Sequence, residues 1–342
     1  MLKLNSATLA QAAADAAAPD LLMPDAPKAT KLISVVSGCY NEEANIRECY
    51  ELVKKVFQDL GCYRYEHIFI DNASKDKTAA ILRDIAAHDK NVKVILNARN
   101  FGHIRSPYHA MLQARGEAVI YIVSDLQDPP ELIKEFLKKW EEGFRVVVAI
   151  KEESDESPIF FAIRKLYYQL VTSLAEIELI KNMTGFGLYD RRFMDIVAEV
   201  RDPYPYFRGL ISEIGFPVAR IPYRQPARKR GITSNNFYRL YDLAMLGVTN
   251  HSKVPLRLAA MLGFAVSLLS LLVAFGYLVF KLLFWYQFSV GLAPLVVGLF
   301  FFGSVQLFFI GILGEYIGAI HTQVQKRPYV VELERINFEP ES

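Results

Sequence analysis

The sequence predicts an α/β protein: a mainly parallel sheet covered by helices on both faces, followed by a two-helix transmembrane hairpin. Two observations predict it. Between Leu32 and Ile150, short apolar runs alternate with amphipathic segments, the rhythm of strand–helix–strand units in a parallel sheet. From Leu258 to Leu313 charged residues nearly vanish, although they fill the first three quarters of the chain. With 342 residues and 52% hydrophobic content, the chain exceeds one typical domain and can bury a sizeable core. A net charge of +2 gives no reason to expect a nucleic-acid partner. Cys39, Cys49 and Cys62 are odd in number and lack metal-ligand spacing, which points to a reduced compartment.

Residues 1–30, rich in Ala, Asp and Pro with no basic start, read as a mobile arm rather than a signal peptide. Strands are expected at Leu32–Ser37, His67–Asp71, Val92–Leu96, Ala118–Val123 and Arg145–Ile150. Between them, Glu43–Leu60, Lys77–His88, Ile104–Arg115 and Pro130–Glu142 have the spacing of helices. Beyond Lys151 the rhythm changes. Phe160, Ile163, Tyr167, Leu170, Val171 and Leu174 recur at helical spacing, as do Phe237, Leu240, Tyr241, Ala244, Met245 and Val248. Either face could pack on the core; proximity to the tail favours at least one helix lying in a membrane interface, and residues 236–256 are taken as that juxtamembrane helix.

Leu258–Phe280 and Val290–Leu313 are each long enough to span a bilayer, which takes about 20 apolar residues. Their connector, Lys281–Ser289, carries Trp285 and Tyr286, suited to a membrane–water interface. Lys253 and Arg257 precede the pair, and Lys326 and Arg327 follow it. The positive-inside rule therefore places both ends in the cytoplasm: a domain at 31–235, spans within 257–320 and a tail at 321–342. A buried hairpin in a soluble protein is the alternative. Self-association is expected of so small an anchor.

Three strand ends carry polar clusters: Gly38–Glu43, Asp71–Asp76 and Ser124–Pro130. In an open α/β sheet, ligands collect beyond the carboxyl ends of the strands. Asp71 could accept a hydrogen bond from the N–H of a nucleobase imide or amide, while Asp76 reads as a helix cap. Asp125, Gln127 and Asp128 offer oxygen ligands for a hard cation. Asp128 could equally be an ordinary N-cap, since Pro129 and Pro130 stop the strand and open a helix with Glu131 in its first turn.

Tyr40-Asn41-Glu42-Glu43, Asp71-Asn72-Ala73-Ser74-Lys75-Asp76, Ala98-Arg99-Asn100-Phe101-Gly102-His103 and Ser124-Asp125-Leu126-Gln127-Asp128-Pro129-Pro130 together resemble the successive motifs of family 2 glycosyltransferases with the GT-A Rossmann-like fold. Their order is similar to that of polyprenyl-phosphate sugar transferases, relatives of dolichol-phosphate mannose synthase. With the hairpin, the chain most resembles the bacterial bactoprenol glucosyltransferases, from about Leu32 to Val330.

The resemblance implies inverting transfer of a sugar from a nucleotide sugar, UDP-glucose first and GDP-mannose as alternative, to a membrane polyprenyl phosphate. Tyr40, Glu42, Asp71 and Arg99 would contact the nucleotide. Asp125 and Gln127 would hold Mg²⁺ or Mn²⁺ on the diphosphate; the first aspartate of the usual Asp-x-Asp falls at Val123, so Asp128, donor phosphates and water would complete the shell. Asp190 matches a further acidic position near the site, with a structural ion pair to Arg191 or Arg192 as the other reading. Lys151, Arg164 and Arg224 fall where acceptor-phosphate cations are expected. Arg228, Gly231 and Thr233 match a basic stretch bordering both phosphates, with Ser234 where lysine is usual; Arg228 is also a catalytic candidate. A solvated basic patch drawn to anionic lipid could coexist with that role.

Three other classes are weighed. A processive polysaccharide synthase would carry Gln-x-x-Arg-Trp, and here Lys229 follows Gln225-Pro226-Ala227-Arg228. A dinucleotide-dependent oxidoreductase would show Gly-x-Gly-x-x-Gly after the first strand, and none follows. A non-catalytic membrane scaffold on a decayed transferase domain is the third.

Overall fold

The computed structural model describes residues 30–151, 180, 182–200, 202–226, 253–284, 292–325 and 327–339. Its strands are β1 (Leu32–Cys39), β2 (Arg64–Asp71), β3 (Val92–Asn97), β4 (Ala118–Tyr121), β5 (Val146–Lys151), β6 (Met183–Asp190), β7 (Val218–Tyr223) and β8 (Glu332–Ile336). The helices are α1 (Ile46–Leu60), α2 (Thr78–His88), α3 (Gly102–Gln113), α4 (Ile133–Glu141), α5 (Arg191–Val200), α6 (Phe207–Ile214), α7 (Val254–Leu283) and α8 (Leu292–Val324). The expected strands and helices of the first 150 residues are all present, with ends shifted by a few residues. At the start of α1 the shift is three residues: Asn45 and Ile46 both donate to the Glu42 carbonyl at 2.9 Å, and Glu43 stays in the preceding turn.

All eight strands form one sheet, in the order β7-β5-β6-β4-β1-β2-β3-β8. β4, β1, β2 and β3 are mutually parallel, β5 runs parallel to β7, and β6 and β8 are the antiparallel members. Buried residues alternate between the faces with the period of two that a strand imposes. Ile33, Val35, Ile120, Ile122 and Val147 pack on Val53 and Phe57 of α1 and Phe136 of α4. Val36, Ile68, Val119, Val146 and Val148 pack on Tyr108 of α3, Phe193 of α5 and Leu210 of α6. Each such side chain contributes about 1.5–3 kcal/mol of apolar burial. Gly61, in the left-handed conformation at φ 58°, ends α1 by returning its N–H to the Phe57 carbonyl.

α7 and α8 have 30 and 33 residues, both long and apolar enough to cross a membrane. A core helix would bury its apolar side chains. Here Phe264 is 74% exposed and Phe300 73%, so the buried-hairpin alternative is excluded. The arm before Thr30, both aromatic amphipathic stretches and the Trp285–Tyr286 connector lie outside the described residues.

One connection sets the geometry of everything that follows. The carboxyl ends of β1 to β5 and of β7 share one rim of the sheet, and the chain leaves that rim after Tyr223 toward α7. It returns to the same rim, because Glu332, the first residue of β8, pairs with Asn97, the last of β3.

Candidate active site

Each polar loop on this rim turns through a left-handed non-glycine residue: Asn41 at φ 57° after β1, Ala73 at 60° after β2, Leu126 at 61° after β4. Such residues cost on the order of 1 kcal/mol or more and persist where neighbouring bonds impose them. Here Asn41 N–H donates to Ser74 Oγ and Lys75 N–H to Asn41 Oδ1, both at 2.8 Å. Glu42 N–H donates to Thr78 Oγ1 at 2.9 Å, and Lys77 N–H to Glu43 Oε2 at 2.9 Å. The loops after β1 and β2 are thus one interlocked unit. Asn72 extends it to the third loop, accepting from Phe101 N–H at 2.8 Å and donating to the Gly102 carbonyl at 3.0 Å.

Asp71 closes β2 and is nearly fully buried; burial pushes its carboxyl up while the hydroxyl and N–H of Ser74 oppose the rise. Tyr40, which follows β1, is exposed, and Glu42 accepts from Asn45 Nδ2 at 2.6 Å. Arg99 lies exposed on the Phe101 ring, its Cζ 4.0 Å from the centroid. Asp76 behaves as the expected cap, its Oδ1 accepting from Thr78 N–H at 3.0 Å.

Past β4, Ser124 Oγ donates to the Gly38 carbonyl at 2.7 Å and fixes this loop to β1. Asp125, 7% exposed, accepts the Gln127 N–H on Oδ1 at 3.1 Å. Asp128 does not cap the following helix. It is held across the rim by Tyr223, whose phenol donates to Oδ1 at 2.8 Å. Since that phenol has one proton, the Thr184 hydroxyl, 3.3 Å away, donates to it in turn. Burial pushes the Asp128 carboxyl up to about 6, against the Tyr223 hydrogen bond and with the Asp125 charge adding to the rise. Tyr223 and Thr184 were not singled out in the sequence, where neither lies in a polar cluster.

Asp125 and Gln127 supply hard oxygen donors of the kind Mg²⁺ and Mn²⁺ take. Among the described residues no three acidic, His or Cys side chains converge on one point. The donor set therefore fits a cation shared with substrate oxygens rather than a closed protein cage.

Lys151 ends β5 opposite Tyr223, and the exposed Arg224 follows it, so both expected cations stand on the rim. Arg164, Arg228 and Thr233 lie outside the described residues. Asp190 is not brought to this rim. β6 runs antiparallel to β4, which sets Asp190 beside Ala118 at the opposite edge, while Gly187 reaches Tyr121. There Asp190 accepts from Trp140 Nε1 at 2.8 Å and pairs with Arg145 at 3.2 Å, a structural cluster different from the Arg191 or Arg192 pairing considered above. Cys39 and Cys49 are buried thiols, and burial pushes both up, Cys49 to about 12.

An acid-bearing rim at the carboxyl ends of a mainly parallel sheet, joined to two helices long and apolar enough to cross a membrane, defines the class as an α/β enzyme with two candidate membrane spans. The chain belongs to the glycosyl transferase family 2, whose family model matches residues 34–196, and is a glycosyltransferase of GT-A fold. It is 35% identical over 301 residues to an uncharacterized glycosyltransferase of Bacillus subtilis, covering 87% of this chain and 93% of the relative. A bactoprenol glucosyl transferase of Shigella phage SfII is 32% identical over 302 residues, covering 88% and 97%. A solved mannosyltransferase of Pyrobaculum calidifontis, in complex with GDP-Man and Mn²⁺, aligns over 94% of this chain and 95% of its own at 15% identity and a TM-score of 0.46.

Proposed function

We propose that this enzyme transfers glucose from UDP-glucose, with inversion, to a polyprenyl phosphate at the cytoplasmic face of the membrane. The observation that carries the reading is the pairing of Glu332 with Asn97, which returns the chain from α8 to the rim bearing Asp71 and Asp125. Glu332 follows Val324 by eight positions, a reach of at most about 28 Å. A lipid-borne acceptor is then within range of the donor. The relatives named bactoprenol glucosyl transferase support the lipid and the sugar.

In this reading Asp71 and Tyr40 seat the nucleotide, and Lys151 and Arg224 draw the acceptor phosphate to the Asp128 side of the rim. The acceptor needs no dedicated base, since a phosphate monoester with a second pKa of about 6 is already anionic at neutral pH. Catalysis rests on positioning and on charge at the leaving group. A divalent cation held by Asp125 and Gln127 supplies Lewis-acid stabilisation of the departing diphosphate when bound.

The test is to incubate membranes containing the protein with polyprenyl phosphate and a panel of UDP- and GDP-sugars, and to identify the lipid product. Product from UDP-glucose is expected. Product only from GDP-mannose would sink the glucose assignment, and product on a water-soluble acceptor alone would sink the lipid.

A further inference from the structure

At the β3–β8 end of the rim, Arg99 and Arg105 gather with no carboxylate partner among the described residues, and the strap that carries Arg327 passes beside them. Arg99 and Arg105 both lie against Phe101, with Cζ atoms 4.0 and 5.8 Å from the ring centroid. Arg105 Nη2 donates to the Pro328 carbonyl, which brings in the neighbouring Arg327. Arg99 donates only to the Asn100 carbonyl beside it, and none of the three pairs with a carboxylate among the described residues. Arg105 also sits in the first turn of α3, which contains no acidic residue, so its charge adds to the positive end of the helix dipole. Burial, then the Arg99 and Arg327 charges, push its pKa below the usual value.

Gathering like charges in this way is unfavourable unless an anion completes the arrangement.

We propose that Arg99, Arg105 and Arg327 form a phosphate site for the headgroup of an anionic membrane phospholipid, separate from the metal-bearing part of the rim; Arg99 then serves the lipid and not the nucleotide contact that the resemblance implies. Two distances select the lipid over the donor diphosphate. β3 lies three strands from β4, about 14 Å at the usual strand spacing, so a diphosphate on Asp125 does not reach. Arg327 follows the last residue of α8 by three positions, within about 11 Å. α8 itself is about 50 Å long against a hydrocarbon core of about 30 Å, which carries its last turns through the headgroup layer. A lipid phosphate held there clamps α3 to the strap that leaves the membrane and sets the distance between rim and bilayer.

The experiment uses the full chain in a neutral detergent, titrated with short-chain phosphatidylglycerol, short-chain phosphatidylcholine, inorganic phosphate and UDP, and followed by thermal unfolding. Phosphatidylglycerol is expected to raise the midpoint and phosphatidylcholine to leave it unchanged. In Arg327→Gln, an exposed position that folding does not need, the apparent affinity for phosphatidylglycerol falls about tenfold and UDP binding stays intact; Arg105→Gln loses more. Equal protection by inorganic phosphate at the same concentration overturns the lipid assignment. Loss of UDP binding in Arg327→Gln assigns the cluster to the donor and overturns the proposal, as does unchanged phosphatidylglycerol affinity in both variants. Glucosyl transfer is scored separately, so its failure and the failure of the lipid site are distinguishable.

Discussion

Tyr223, the last residue of β7, donates its phenolic proton to Asp128, in the loop after β4, at 2.8 Å. The pair ties two separated strands together directly beside Asp125. It also leaves a carboxylate in a site where burial pushes its pKa up to about 6.

The raised value has a stability consequence. An ordinary aspartate titrates near 3.9, so between about pH 4 and 6 the folded chain binds more protons than the unfolded chain. The stability this group contributes is full below pH 4 and declines as pH rises through 6. Asp128→Asn keeps an acceptor for Tyr223 without a charge. At pH 7.5 it is expected to be more stable than the parent by on the order of 2 kcal/mol, with the gap closing toward pH 4. Thermal unfolding across that range measures it; a less stable variant at pH 7.5 shows that the ionised carboxylate is wanted there.

Tyr223→Phe removes the donor and leaves the buried Asp128 oxygen without it. The expected loss is about 1–3 kcal/mol at pH 7.5. Below pH 5, where Asp128 carries its own proton, the loss is smaller. Denaturant unfolding at pH 5 and 7.5 reads the difference, and equal losses at both would show that the phenol acts by packing alone.

In the proposed reading Asp125 holds the cation that stabilises the departing diphosphate. Asp125→Ala is expected to lower transfer to a polyprenyl acceptor by about a hundredfold or more, the scale of losing a main electrostatic group. Asp128→Ala is expected to leave a measurable part, because its role is to brace the loop. Radiolabelled lipid product with Mg²⁺ and with Mn²⁺ is the readout. An active Asp125→Ala protein refutes the metal assignment.

Which of these features could be seen in the sequence follows from how local their causes are. The strands to Lys151 announce themselves as short continuous apolar runs, and the helices between them because every third and fourth residue is apolar. The acids at the ends of β1, β2 and β4 could be placed on one rim because parallel strands share a direction. Asp190 falls at the opposite edge because β6 runs antiparallel, a direction that Thr184, Gly185 and Gly187 hide by breaking the strand pattern. Tyr223 meets Asp128 across 95 residues of chain and Thr184 across 39, a matter of register alone. β8, Glu-Leu-Glu-Arg-Ile, looks like charged tail because an edge strand exposes one side to water.

β6 packs so closely on β5 that no side chain fits at Gly187. A Cβ there would lie 2.4 Å from the Val147 carbonyl oxygen and 3.2 Å from Val148 Cα, both backbone atoms within the ladder. Gly187→Ala is expected to destabilise the domain by about 3 kcal/mol or more, since the sheet must separate to admit the methyl. Gly263→Ala in α7 has open space around it and serves as the control, with an unchanged midpoint. Equal midpoints for both variants would show that β5 and β6 can move apart freely.

The return strap from α8 is fastened to the sheet at its far end by Asn337. This residue adopts φ 60° and donates through Nδ2 to the Ala86 carbonyl at 2.7 Å and the Val92 carbonyl at 2.8 Å, closing the C-terminal end of α2 and the start of β3. Lys90 Nζ donates to Asn337 Oδ1 at 3.1 Å and completes the knot. Alanine loses all three bonds and tolerates the left-handed backbone less well than asparagine. Asn337→Ala is expected to cost about 2 kcal/mol locally. Because β8 is an edge strand, that loss appears as opening of the β3–β8 ladder rather than global unfolding. Hydrogen exchange of peptides covering Val94–Asn97 and Glu332–Ile336 should speed up by about tenfold or more, with β1 and β2 unchanged. If the ladder exchanges as slowly in Asn337→Ala as in the parent, the ion pairs of Arg83 with Glu334 and His109 with Glu332 hold β8 in place without the knot.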